Sequence, residues 1–463
     1  MASMPNTVDV SALINGRRLG AFNYRLIVLS WLITVFDGFD MIMIGFTAPY
    51  MRDELGLSKT MLGNVFSAGL LGMMLGGFLL SYIGDRVGRR PTVVFAAVSF
   101  GILTAAVALA GSYHALLALR FLDGLALGGM LPLAWALNIE FVPSRMRSSV
   151  VTVIMMGYSL GAAIAGPMTN WIAPHHGWQG VYFVGGIGSL LCAAALWIWL
   201  PESIRFLVVK GDRPQLVRRM LQRLDPAIDL SRADQFVLSD ELKPERNFRV
   251  GQLFHGDLRI ITPVLWIGYF ASSLAIYFAV SWGPIVLEDL QFPRHTAALV
   301  ASTGSLAGAA AGLLLMRFTD RRGPGSVAVY PAICVPVLLA LGFDLVPRDA
   351  FLAVVILSGV LISGGHFGVL SIAGIFYPSS IRACGAGWAT SMAKFGAILG
   401  PIAGAAVLSS GIPIIRSYAL LALWPAILCL SALGIAAVVR SRVPVVPAGA
   451  ALAVATGGSG EPP

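Results

Sequence analysis

The chain has 463 residues, of which 57% are hydrophobic and only 12% are charged, and its mean hydropathy is +0.80. Soluble domains carry roughly 25% charged residues, so this composition excludes a water-soluble protein. The formal net charge of +9 is compatible with nucleic-acid binding, but the positive residues fall in loops between apolar runs. We therefore predict a lipid bilayer as the surroundings and no nucleic-acid partner.

Apolar runs long enough to cross a hydrocarbon core of about 30 Å as helices recur along nearly the whole chain. They predict an all-α polytopic membrane protein with twelve transmembrane helices, TM1 to TM12. The predicted spans are 25–49, 60–83, 92–111, 115–141, 148–173, 179–200, 260–287, 296–317, 326–346, 351–377, 385–409 and 417–439. We expect no cleavable signal peptide, because the first apolar run carries Asp37 and Asp40 at its middle.

Lys and Arg residues divide unequally between the two alternating sets of loops. One set holds Arg86, Arg89 and Arg90 after TM2, further pairs after TM4 and TM8, and a large group between 205 and 259. The other set holds only Arg52, Lys59, Arg294, Arg348 and Arg416. By the positive-inside rule, this asymmetry predicts that both termini and the 201–259 loop are cytoplasmic.

The four cysteines indicate neither a disulfide nor a metal site. Cys192, Cys334, Cys384 and Cys429 lie in or beside apolar runs, without close Cys spacing or neighbouring His pairs. They are typical of small core hydrophobes. The sequence also lacks a nucleotide-binding Gly-rich loop, so we predict no cofactor and expect an ion gradient to supply energy.

Landmarks in the first half of the chain recur 235 residues later. Asp85 and Arg86 after TM2 correspond to Asp320 and Arg321 after TM8. Pro143 to Arg147 corresponds to Pro378 to Arg382, and Gly161 corresponds to Gly396. This repetition predicts two six-helix repeats in parallel topology, with a substrate site between them near the bilayer midplane. The predicted units are a cytoplasmic segment 1–24, halves 25–200 and 260–439, a cytoplasmic linker 201–259 and a cytoplasmic tail 440–463.

Several motifs resemble known transporters. Asp85-Arg86-Val87-Gly88-Arg89-Arg90 resembles the signature loop of the major facilitator superfamily, although Ser81 replaces its usual first Gly. Pro201-Glu202-Ser203-Ile204-Arg205 is similar to a motif of its sugar and organic-acid members. The TM1 sequence Asp37-Gly38-Phe39-Asp40, the Gly-rich TM4 and the TM11 segment around Lys394 together resemble the aromatic acid/proton symporters. Lys394 stands where that family usually has Arg, and Asp123 where it has Thr.

Asp37 and Asp40 are the clearest charged residues inside a predicted span. A charged group near the bilayer centre costs on the order of 2.5 to 3.5 kcal/mol on insertion scales, so it requires a partner or a function. The two acids are three residues apart on one helical face. Close carboxylates in poorly solvated surroundings resist simultaneous ionisation, and we predict that this pair couples proton movement to transport. The alternative is that one acid only makes a polar contact to a neighbouring helix.

Cations and aromatic residues in other spans are the predicted substrate ligands. Arg120 in TM4 cannot lose its charge, so it must face water, an anionic substrate or a carboxylate of the protein, for which Asp123, three residues on, is the local candidate. Lys394 lies too deep in TM11 to reach the interface, and His366 belongs to a Gly-rich stretch of TM10. We predict that these residues hold a carboxylate while aromatic rings stack on its ring, although aromatic residues also serve packing. The aromatic candidates are Tyr277, Trp282 and Trp388.

The resemblance also implies gate residues at the cytoplasmic ends of the helices. In the superfamily such groups form ion pairs that hold one face closed. The residues at the matching positions here are Asp85, Arg86, Arg89, Glu140, Arg145, Asp320 and Arg321.

These observations predict a secondary active transporter, not an enzyme. We expect a monomer in the bacterial inner membrane that imports a small, aromatic carboxylate with protons by alternating access. A proton-coupled exporter of the same fold remains open, although the pair of glycines that usually ends TM5 in exporters is missing after Gly166-Pro167. An importer of a non-aromatic acid or a sugar is also open. A sensor or membrane enzyme lacks support, because no large soluble domain, nucleophile cluster or metal set is found.

Overall fold

The computed structural model describes residues 7–211, 214–224, 235–239, 250–322, 324–377 and 381–440. The predicted tail beyond residue 440 and the motif residues 378–380 lie outside this described part. So do the side chains of Asp320, Arg321 and Arg382.

Long apolar helices make up almost all of the described chain. Eleven of them are long and apolar enough to cross a membrane, and one of these is a double span. The helices are TM1 Ala21–Leu55, TM2 Lys59–Val87, TM3 Arg89–Val107, TM4 Tyr113–Glu140, TM7 Leu258–Asp289, TM8 Arg294–Arg322, TM9 Val329–Gly342, TM10 Arg348–Phe376, TM11 Arg382–Ser409 and TM12 Arg416–Leu421 with Leu423–Arg440. TM5 and TM6 share the run Arg147–Trp199. The predicted twelve-helix fold is confirmed.

A backbone break at Gly177 separates TM5 from TM6. Its φ of 65° and ψ of 177° interrupt the helical run Arg147–Trp199. Glycine tolerates this positive φ because it has no Cβ. The run therefore supplies two spans, 147–176 and 178–199.

The same helix pairs pack together in each half of the chain. TM1 packs on TM5 and TM2 on TM4, just as TM7 packs on TM11 and TM8 on TM10. Gly161 and Gly396 make equivalent close approaches: a Cβ on Gly161 would collide with the Val35 carbonyl, and one on Gly396 with the Phe270 carbonyl. Small residues bring membrane helices into backbone contact in this way. The repeated packing agrees with the predicted six-helix repeats.

The surface carries many large apolar side chains, as expected where lipid replaces water. Trp171 and Leu109 are both 75% exposed, and Leu191 and Leu430 both 69%. A soluble monomer rarely exposes so much apolar surface. The exposed side chains are consistent with a multi-pass membrane protein.

One small sheet was not predicted. The strands β1 Thr7–Asp9 and β2 Gln235–Val237 pair in parallel, with Thr7 opposite Gln235. Asp9 Oδ1 accepts hydrogen bonds from the backbone N–H groups of Ser11 and Ser239, at 3.0 and 3.3 Å. These contacts attach the linker to the N-terminal segment. The short helix Pro214–Leu224 buries Val217, Met220 and Leu221.

Candidate functional site

The helix bundle has two ends, which we call the basic end and the far end. The basic end holds the N-terminal end of TM1, the TM2–TM3 connection and the linker after TM6. The far end holds the C-terminal ends of TM1 and TM7 and the N-terminal end of TM8.

Asp37 lies near the middle of TM1 and is completely buried. Among the described residues, neither carboxyl oxygen has a hydrogen-bond partner. The hydroxyl-bearing rings of Tyr158 on TM5 and Tyr277 on TM7 are close enough to interact with its charge. A carboxylate buried without donors is very costly to leave charged. Asp37 is thus an unsatisfied acid beside TM7 of the other half.

Asp40, one turn further along TM1, belongs to a different environment. Arg120 Nη1 contacts both of its oxygens, at 3.1 and 3.0 Å, and also donates to Asp123 Oδ2 at 2.8 Å. Thr104 of TM3 donates to Asp123 Oδ1 at 3.0 Å. All three charged side chains are at most 4% exposed. We call Asp40, Arg120 and Asp123 the buried triad. Of the partners considered for Arg120 from the sequence, carboxylates of the protein are therefore present, and Asp123 is one of them.

Lys394 of TM11 is a cation that lies against TM2 of the other half, away from both ends of the bundle. Its Nζ is 5.7 Å from the centre of the Phe78 ring and lies against Gly77, both of TM2. No salt bridge joins it to any residue within the described ranges. A cation over an aromatic face gains about 0.5 to 2 kcal/mol, less than a carboxylate partner at short range supplies in a poorly solvated place. Lys394 is therefore available to an anion.

The other predicted ligands occupy different places. His366 Nδ1 is 3.2 Å from Ser272 Oγ of TM7, within the same half. Trp282 is fully buried, and its Nε1 donates to the Pro401 carbonyl at 2.9 Å. Trp388 stacks on Trp266 at 5.7 Å and is 38% exposed. In this conformation Trp282 therefore contacts protein and no open space, whereas Trp388 keeps one accessible surface.

An elongated, mostly apolar cavity opens between TM1, TM7, TM8, TM10 and TM12. Ile42 and Phe46 of TM1 form one wall of the cavity. In the sequence, both follow Asp40. Ser363 lines it at mid-depth of TM10, and Tyr418 of TM12 lines it toward the far end. The Tyr418 hydroxyl has no hydrogen-bond partner within the described structure. Apolar walls with a few polar groups are typical of small-molecule sites.

The gate candidates Arg89 and Glu140 lie at the basic end within the first half. Arg89 forms an ion pair with Glu140, and Glu202 Oε1 accepts from the Arg89 and Arg90 backbone N–H groups at 2.9 and 3.1 Å. Ser203 Oγ donates to Glu140 at 2.6 Å. The sequence reasoning quoted Glu202 and Ser203 only as a family motif, yet they complete this cluster.

Three further gate candidates, Asp85, Arg86 and Arg145, lie around that cluster, whereas the side chains of Asp320 and Arg321 lie outside the described structure. Asp85 is close enough to Arg89 for their charges to interact. The Arg86 guanidinium lies over the Tyr82 ring at 4.2 Å, and Arg145 Nη2 donates to the Arg17 carbonyl at 3.0 Å. The gate function itself stays a prediction.

A second ion cluster, which the sequence reasoning missed, joins the halves at the far end. Arg52 contacts Glu288 and Asp289, both at 3.2 Å. Lys59 contacts Asp289 at 2.9 Å, and Arg294 pairs with Asp53 and, at 2.7 Å, with Glu288. The far-end cluster consists of Arg52, Asp53, Lys59, Glu288, Asp289 and Arg294. Helices TM1 and TM2 are thereby tied to TM7 and TM8, which closes this end.

No group of three or more His, Cys, Asp or Glu side chains suited to a metal occurs within the described ranges. The four cysteines are free.

Comparison with known proteins identifies the family to which the chain belongs. The model of the Major Facilitator Superfamily matches residues 30–215. A gallate transporter of Pseudomonas putida is 33% identical over 417 residues, which cover 90% of this chain and 92% of that protein. The chain belongs to the major facilitator superfamily, in its aromatic acid/proton symporter family.

A second relative is also a named transporter, and a solved transporter structure has the same fold. The 4-hydroxybenzoate transporter PcaK of Pseudomonas putida is 32% identical, over 88% of this chain and 91% of that protein. A solved bacterial homologue of the human lysosomal transporter Spinster, inward-facing and unoccupied, has a TM-score of 0.69 at 14% identity, covering 92% of this chain and 98% of that one. That likeness shows the fold alone. The chain is a membrane transporter of small molecules, and its relatives are named transporters, not enzymes.

Part of the far-end cluster could have been predicted from the sequence. Arg52-Asp53 ends TM1 and Glu288-Asp289 ends TM7, so charged pairs stand at equivalent helix ends of the two repeats. The opposite charges of Arg52 and of the two TM7 acids could be read from the sequence. Whether these residues contact one another depends on how the two halves pack together.

Proposed function

We propose that this chain imports an aromatic carboxylate together with protons across a bacterial inner membrane by alternating access. The observation that carries the proposal is Asp37, a fully buried acid with no hydrogen-bond partner among the described residues. A carboxyl group that must become neutral when it is buried suits a proton carrier. The relatives named for gallate and 4-hydroxybenzoate transport support an aromatic acid as the cargo.

The substrate carboxylate binds Lys394 in this proposal. Lys394 has no acidic partner in the described structure and lies between TM11 and TM2, where both halves can contact a ligand. Arg120 already contacts Asp40 and Asp123, so it contributes through the triad and not as a free cation. The apolar cavity beside Ile42 offers surroundings suited to an aromatic ring. Tyr277, His366 and Trp388 remain candidates for further ligand contacts.

Transport requires the two halves, residues 25–200 and 260–439, to rock about the site. The far-end cluster ties these halves together in the present conformation, which supports a state open toward the basic end. We place the basic end, the segment 1–24, the linker 201–259 and the tail 440–463 in the cytoplasm, following the positive-inside rule. A monomer suffices for this mechanism.

Proton binding and anion binding support one another because of their charges. Ionised Asp37 and Asp40 repel a carboxylate, whereas their protonated forms do not. A ligand that favours the protonated state is bound more tightly when protons are abundant, and by linkage it retains the protons. Release of both at the cytoplasmic side completes import.

Uptake by intact cells tests the proposal. We expect cells that express the chain to accumulate labelled 4-hydroxybenzoate, more strongly at lower external pH and not after addition of a protonophore. Succinate serves as the non-aromatic comparison. Asp37→Asn keeps size but cannot exchange a proton, so it should abolish accumulation while the protein remains inserted. Asp349→Asn, an exposed acid at the start of TM10, is the matched control and should behave as the parent.

Three results would contradict the proposal. Uphill uptake retained by both Asp37→Asn and Asp40→Asn would remove the proton-carrier function. Uptake that depends on sodium and ignores the protonophore would identify another coupling ion. Faster loss of the acid from preloaded, energised cells would identify an exporter.

A further inference from the structure

Asp123 is a buried acid for which the transport mechanism above has no use. It has no exposed side-chain surface, and it lies on TM4 between Arg120 and Thr104 of TM3. Its Oδ2 and Asp40 Oδ2 contact the same Arg120 nitrogen, at 2.8 and 3.0 Å. The two carboxyl groups therefore meet at one guanidinium nitrogen.

The charges of the buried triad do not balance. Two carboxylates and one guanidinium carry a net charge of −1, and Arg120 cannot give up its proton. An uncompensated charge in a buried place is expensive, and removing that charge requires one proton. Two buried carboxyl groups that meet at one cationic nitrogen resist simultaneous ionisation, so they can share one proton.

The groups that face this pair do not supply the missing positive charge. Asp37 lies one turn earlier on TM1 and adds a further acid. Tyr182 of TM6 is close enough to interact with both triad acids, but its phenol is neutral. Thr104 donates a neutral hydrogen bond. Within the described ranges, four charged side chains meet here, and three of them are acids.

We infer that Asp123 is a second proton-exchanging residue of this transporter. The buried triad holds one proton, shared between Asp40 and Asp123, and Asp37 holds another. The inference rests on the proposed proton-coupled function and adds its stoichiometry. Two protons that accompany one monovalent carboxylate move a net charge of +1, so uptake responds to the membrane potential. Without Asp123, Asp40 and Arg120 neutralise each other, only one proton moves, and uptake becomes electroneutral.

Proteoliposomes that contain the purified full chain test this inference. An inside-negative potassium diffusion potential is applied at equal pH on both sides, and uptake of labelled 4-hydroxybenzoate is followed. Moving one charge through 100 mV is worth about 2.3 kcal/mol, or about fiftyfold in accumulation. We expect this stimulation in the parent and in Asp349→Asn. In Asp123→Asn it should be lost, while uptake driven by a pH difference persists, and Asp123→Glu should recover it.

A second measurement does not depend on transport. The infrared absorption of protonated carboxylic acids in the purified protein should decrease by one group in Asp123→Asn, and Thr104→Val should shift the band of the triad without changing its number. Voltage stimulation retained by Asp123→Asn, or an unchanged number of protonated carboxyl groups, would overturn the inference. Parent uptake that follows the pH difference but ignores voltage would also overturn it while the proposed function stands. Absence of any acid uptake by the parent would instead refute the proposed function, and the infrared count would still decide on Asp123.

Discussion

Neutralising Arg294 should open the far end of the transporter. Arg294 on TM8 pairs with Asp53 of TM1 and with Glu288 of TM7, and its pair with Asp53 joins the two halves. Arg294→Gln keeps a polar side chain of moderate length but removes both pairs. The conformational equilibrium should shift toward a state that is open at the far end, because the closed state loses contacts that the open state lacks.

The size of the shift in the conformational equilibrium depends on how exposed the paired side chains are to water. The Arg294 and Asp53 side chains are 33% and 50% exposed, so water and salt screen their attraction. Exposed ion pairs contribute up to about 1 kcal/mol each. Only the pair with Asp53 joins the halves, so its loss shifts the equilibrium by up to about 1 kcal/mol, or up to about fivefold. Raising the ionic strength should shift the parent in the same direction.

Thiol labelling measures this opening. In a variant whose four natural cysteines are replaced by Ala, Val300→Cys places a thiol in the cavity, where Val300 is 7% exposed. The rate of reaction with a membrane-impermeant reagent added at the far side reports far-end opening. Arg416→Gln is the control, since Arg416 starts TM12 at the same end and lies over Phe343 outside the cluster. Equal labelling rates in Arg294→Gln and Arg416→Gln would refute the reasoning.

Two further changes have defined outcomes. Lys394→Gln should weaken 4-hydroxybenzoate binding to purified protein at least about tenfold, because a charge-assisted hydrogen bond is lost. Lys394→Arg keeps the charge and should retain part of the binding. If Lys394→Gln binds the acid as tightly as the parent, the function of the cation is structural. Gly161→Ala drives a Cβ into the Val35 carbonyl and should destabilise the detergent-purified protein by about 1 to 3 kcal/mol, while Gly283→Ala, with open space around it, should leave the melting temperature unchanged.

Local sequence patterns predicted the twelve spans well, because each span is long and apolar enough to be read without its neighbours. The repeat was equally readable, since Gly161 and Gly396 make the same close approach in the two halves. The boundary between TM5 and TM6 was the exception. The chain stays helical on both sides of Gly177, and only the positive φ of that residue divides the run.

Contacts between helices were harder to predict. Spacing along TM4 favoured Asp123 as the partner of Arg120, and this contact is present. The contact of Arg120 with Asp40 depends on how TM1 packs against TM4, which no spacing within either helix reveals. Trp282 shows the same limit, because its N–H bonds to Pro401 of TM11 and its ring meets Phe66 of TM2.

The distribution of unsatisfied charge gives a physical reason for coupling the two halves. Within the described structure, Asp37 in the first half has no hydrogen-bond donor, and Lys394 in the second half has no acidic partner. Each is costly at membrane depth, and neither half satisfies its own group. In the proposed mechanism, a proton neutralises Asp37 and a substrate carboxylate neutralises Lys394. Loading the site with proton and acid together relieves both costs, whereas the half-loaded site retains one uncompensated charge, so the loaded transporter changes conformation more readily than the half-loaded one.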